Sequence, residues 1–147
     1  MGRSDWSSGG LSFWESKSEE DQMIFGVVNS VCEATIKVAV GQIGSPKIMV
    51  NAVIDTGFTG FLSLPSSVIE SLELPWSCLD FGTLGDGSQV VFEMYTANVI
   101  WDGQIQIIDV ASSEAEPLIG MSLLYGYDLR IQAVEGGSVS VQALSEL

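Results

Sequence analysis

Asp55 stands where an apolar run ends and a turn begins. The stretch from Val53 to Gly60 reads VIDTGFTG, so Val53-Ile54 delivers a carboxylate directly into Thr56-Gly57. A carboxylate at the end of a buried strand is costly unless its charge is stabilised or it keeps its proton. Gly57 lets backbone N–H groups approach the acid, and the Thr56 hydroxyl can lock the turn. Such an acid can move protons, as a base toward water or as an acid toward a carbonyl oxygen. Asp is also a common helix cap, but the next predicted helix begins near Pro65, too far away to be capped. The chain contains no His, which removes Ser-His and Cys-His catalysis and the commonest metal ligand. The most useful partner for Asp55 is therefore a second acid. Two carboxylates a few ångström apart cannot both ionise, and so they share a proton. Asp86-Gly87, Asp102-Gly103 and Asp128-Leu129 sit in turn contexts without the preceding apolar strand, so none repeats the pattern. The Asp-Lys-Thr-Gly-Thr signature of aspartyl-phosphate chemistry is missing, and so is a Gly-rich phosphate loop with Lys.

The elements around Asp55 read as β. Ile36, Val38 and Val40 alternate with Lys37 and Ala39, a strand with one wet face. GQIGSPK then turns, and residues 47–54 form a second, mostly buried strand. After the Asp55 turn, LPSSVIESLEL predicts a helix with Pro65 at its first position and Val68, Ile69 and Leu72 on one face. Pro75 ends it. Residues 79–84 and 89–95 flank GDGS as one hairpin, and residues 97–101 and 104–110 flank Asp102-Gly103 as another. Leu118-Ile119-Gly120 ends a short apolar strand. A short helix over 121–125 follows, stopped by Gly126. DLRIQAV and SVSVQAL close as a hairpin across Glu135-Gly136-Gly137.

The 147 residues suit one domain. We expect residues 1–22 to be a mobile tail, rich in Ser and Gly, and residues 23–147 to be the folded domain. Trp6, Phe13 and Trp14 are unusual in such a tail. The net charge is −14, with only five Lys and Arg. That disfavours nucleic acid and anionic membrane surfaces as partners. Cys32 and Cys78 lie in apolar sequence surroundings and are expected as buried free thiols. Two thiols without His make a poor metal set, so neither metal nor cofactor is expected. No apolar run reaches roughly 18 residues, and no apolar leader opens the chain, so a cytoplasmic location is expected.

The order of apolar-apolar-Asp55-Thr56-Gly57, a hairpin region, then Leu118-Ile119-Gly120 and a short helix resembles the retropepsin-like, single-domain aspartic peptidases. The resemblance covers about residues 23–147. DTGFTGFL and LIGM with the following LL look most like the small bacterial and archaeal members. It implies an all-β, mainly antiparallel, barrel-like half with one or two short helices, acting as a homodimer. Asp55 of each copy would meet at a two-fold axis, and Thr56 would hydrogen-bond across it. Leu118, Ile119 and Gly120 would pack beneath the turn. Gly85, Asp86, Gly87 and Ser88 would tip a flap over an extended peptide or protein substrate. The implied reaction is hydrolysis of a peptide bond by a water activated between two Asp55 carboxylates. The alternative is a silent dimerisation or peptide-binding module of the same fold. The sequence departs from the retroviral pattern at Met121, where those enzymes carry Arg, and in the acidic flap tip.

Overall fold

A computed structural model describes residues 23–83 and 85–145. The expected tail over 1–22 lies outside the described residues. The elements run β1 (Met23–Val28), β2 (Ala34–Gly41), β3 (Ile48–Ile54), β4 (Leu62–Pro65), α1 (Ser66–Leu72), β5 (Trp76–Thr83), β6 (Gln89–Trp101), β7 (Gln104–Ser113), β8 (Leu118–Ile119), α2 (Met121–Leu124), β9 (Tyr127–Ile131) and β10 (Ser138–Ala143). The described residues are mostly β, with two short helices, as the sequence implied. No helix among the described residues is long and apolar enough to cross a membrane.

The strands lie in the order β5-β6-β7-β4-β8-β3-β2-β1-β10-β9. β3 with β8 and β4 with β7 are the parallel pairs; the other pairings are antiparallel. β2 also pairs with β6 through Ala39↔Ile100, Val40↔Val99 and Gly41↔Asn98, so the middle of the sheet closes into a ring. β3 occupies one edge of β2 along most of its length. The other edge is shared: β1 takes residues 34–36 and β6 takes residues 39–41. Period-two alternation drives this arrangement, because Ile36, Val38 and Val40 point inward and are essentially fully buried. They meet Ala52, Leu62, Leu64, Val99, Val110, Ile119 and Val141 in one core.

Three details differ from the sequence reading. Residues 62–65 form a strand, and Pro65 caps α1 from outside with ψ 148° instead of occupying its first turn. Leu62, Ser63 and Leu64 are all buried, so this strand shows no alternation to betray it. β6 is a single strand from Gln89 to Trp101, and β5 starts earlier than expected, at Trp76. Cys32 and Cys78 are exposed free thiols, not buried ones. Cys32 lies in a turn with φ 66°, and Cys78 lies on β5, which extends beyond the core.

Candidate active site

Asp55 is the first residue after β3, and its position is fixed from two sides. Its N–H donates to the Ile119 carbonyl at 2.9 Å, continuing the parallel pairing of Val53↔Leu118 and Ile54↔Ile119. Its own carbonyl accepts from the Phe58 N–H at 3.1 Å, which closes the turn. Its Oδ1 accepts from the Gly57 N–H at 2.9 Å. A Cβ on Gly57 would sit 3.3 Å from that same oxygen. The glycine thus keeps the carboxylate edge open while its backbone N–H binds the charge. Asp55 is half-buried, and Thr56 and Gly57 are exposed.

β8 is only two residues long, yet it organises the site. Its Leu118 and Ile119 lie between β3 and β4, pairing parallel with one and antiparallel with the other. The two ends of the Asp55 turn are therefore clamped by one short strand. Ile119 is fully buried beneath it. Gly120 follows, and its N–H donates to the Phe61 carbonyl at 3.0 Å. A Cβ there would lie 2.2 Å from the Gly60 carbonyl oxygen and 2.7 Å from that of Phe58. No other residue fits without moving backbone. Met121 N–H then donates to the Phe58 carbonyl at 2.8 Å, and Ser122 N–H to that of Gly60 at 3.1 Å. The Ser122 hydroxyl reaches the Thr59 carbonyl. Sequence reasoning put Leu118, Ile119 and Gly120 beneath the turn and read Phe58 and Gly60 only as part of the DTGFTG run, and it did not name Ser122. Gly60 in the DTGFTG run was the available signal.

Among the described residues, the Gly57 N–H is the hydrogen-bond partner of the Asp55 carboxylate, and no second acid bonds to it. An open depression of about 370 Å³ lies beside the turn, lined in part by Thr56, Ile54, Val53, Ala34 and Ile131. Another, of about 510 Å³, opens between Phe61, Met121, Ser122 and Tyr125.

Gly85, Asp86, Gly87 and Ser88 form the turn that joins β5 to β6. Asp86 Oδ1 accepts from the Ser88 N–H at 2.9 Å and from its hydroxyl at 2.6 Å. These bonds hold the Asp86 carboxyl below the usual carboxylate range. Gly87 has φ 89°, which this turn reserves for glycine. The hairpin has a definite inner side. Along β6, Ala97, Val99 and Trp101 face the core, and alternation puts Val91 on that same side. Phe81 pairs with Val91, and Leu79 lies two residues along β5. All three are exposed, Phe81 by 67%. By register this side of the hairpin carries Leu79, Phe81 and Val91, with the exposed Glu93 opposite Leu79.

No protein-family model matches the chain, and no curated protein matches it. Solved structures do. A retropepsin-like aspartic protease from Rickettsia conorii is 16% identical over 82% of this chain and 90% of its own, with a TM-score of 0.54. The EIAV protease, solved with the inhibitor HBY-793, is 17% identical over 63% of this chain and 85% of its own, with a TM-score of 0.48. The mostly β chain, with its ring closed by β2 and β6, thus has a retropepsin-like fold.

Proposed function

We propose that the chain is an aspartic endopeptidase that works as a homodimer. The observation that carries this reading is Asp55, set on a Thr-Gly turn between β3 and β4 and clamped by β8. The turn leaves Asp55 without an acid partner in its own chain among the described residues. A second copy supplies one if the two-fold axis passes beside the Asp55 turn, because residues at such an axis meet their own counterparts.

The chemistry follows from a shared proton. The ionised carboxylate takes a proton from water, and the water oxygen forms a bond to the scissile carbonyl carbon. The protonated carboxyl gives its proton to the carbonyl oxygen, leaving a neutral tetrahedral diol. The proton taken from water then passes to the amide nitrogen. The C–N bond breaks as one diol hydroxyl returns its proton to the other, now ionised, carboxylate, which releases an amine and a carboxylic acid and restores the shared proton. The Gly57 N–H holds Asp55 Oδ1 in place, and Thr56 braces the turn at the two-fold axis. The β5–β6 hairpin acts as the lid that excludes water, with Leu79, Phe81 and Val91 against an extended peptide.

Asp55→Asn tests this directly. The variant should fold and sediment as wild type does but lose peptide cleavage by at least about a thousandfold. Wild-type protein that cleaves nothing in a diverse peptide mixture across acidic and neutral pH, while binding peptides equally well with and without Asp55, would mark a silent binding module instead.

A further inference from the structure

One face of the ring is apolar and bare. By register, Met49 pairs with Ala39, Ala39 with Ile100, and Ile100 with Ile105. These residues point away from the core, because their neighbours Val38, Val40, Val99 and Ile108 point into it. Ile107 lies two residues from Ile105 on the same face. Met49, Ile100, Ile105 and Ile107 are 63%, 43%, 65% and 66% exposed. They form a row across four neighbouring strands, β3, β2, β6 and β7. Asn98 shares this face by register, opposite Ile107. Its Oδ1 is buried and has no hydrogen-bond partner among the described residues.

The path of the chain points to the occupant. β1 leaves the edge of β2 after Gly26↔Ile36, and β6 takes over that edge at Ala39↔Ile100. The polypeptide upstream of Met23 therefore enters β1 at the notch beside this row. That upstream segment carries Leu11, Phe13 and Trp14, and then Glu19-Glu20-Asp21. About ten residues separate Phe13 from Met23, a reach of up to roughly 33 Å. The row spans about three strand spacings, roughly 14 Å. Lys37 is exposed on the same face, two residues from Ala39, within reach of the acidic run.

We propose that residues 1–22 strap the outer face of the β2–β6 seam. Leu11, Phe13 and Trp14 cover Met49, Ile100, Ile105 and Ile107. The strap would brace the ring where only a short run of residue pairs closes it. It does not depend on peptidase activity.

Photo-crosslinking of the full chain carrying Phe13→p-benzoyl-Phe tests the proposal, with the intact mass checked first. The expected products are crosslinks within one chain, to Met49 or to residues 98–107, with a yield unchanged on dilution. Ile105→Ser with Ile107→Ser, both at exposed sites, should lower that yield about tenfold as the buried apolar area is lost. Crosslinks to any other surface overturn the strap, as does the absence of crosslinks. Crosslinks between chains that fade on dilution also overturn it, and assign the face to a second copy.

Discussion

Gly57 and Gly120 look alike in sequence and do different work. At Gly120 an added methyl would meet two backbone carbonyl oxygens. Backbone cannot swing aside as a side chain can, so Gly120→Ala should destabilise the fold by at least about 2 kcal/mol, read by urea unfolding. At Gly57 the nearest atom to such a methyl is Asp55 Oδ1 at 3.3 Å. Gly57→Ala should therefore keep most of the stability, within about 1 kcal/mol, and lower cleavage much more than it lowers the melting temperature. Activity assays beside thermal unfolding separate the two. Asp55 and its glycine were legible because a carboxylate after an apolar strand is expensive and needs local relief. Ser122 was not legible, because it reaches Thr59 and Gly60 only when β8 returns to the turn.

At the scale of elements, the β6–β7 hairpin shows why some pieces can be read. Asp102 and Gly103 have φ of 55° and 73°, the left-handed pair that a two-residue hairpin demands. β4 could not be read, since covering both sides of a strand erases its period. The same hairpin end carries an ionisable contact that sequence does not reveal. Tyr127 donates to Asp102 Oδ2 at 3.2 Å, and its ring meets Trp101 edge-on at 5.9 Å. Burial, and then the Asp102 charge, raise the Tyr127 pKa above its ordinary value of 10.0. The folded state therefore holds this proton more tightly than the unfolded state does. The stabilisation is complete below the ordinary value and is lost as pH rises through the folded one. Unfolding midpoints of wild type should fall over this alkaline range, and those of Tyr127→Phe should fall less steeply.

For the whole molecule, charge and assembly pull against each other. Each chain carries −14, so bringing two together costs repulsion that salt screens. The proposed dimer should tighten as ionic strength rises, measured by sedimentation equilibrium. Thr56→Ala should weaken it, because in the proposed dimer the exposed Thr56 bonds across the axis. A dimer that loosens with salt would point to an interface held by ion pairs. The general architecture was legible from strand periods and turn residues. The closure of β2 on β6 was not, since pairing between strands so far apart leaves no local pattern.

The clamp by β8 also sets a schedule. Val53 and Leu62 belong to the first half of the domain, while Leu118 and Ile119, which pair with them, come late. Contacts so distant in sequence form slowly and late in folding. On the ribosome, the Asp55 turn stays unsupported until the segment through Ser122 has emerged. A nascent chain therefore carries its acid without the seat that shapes it until β8 and the start of α2 have followed.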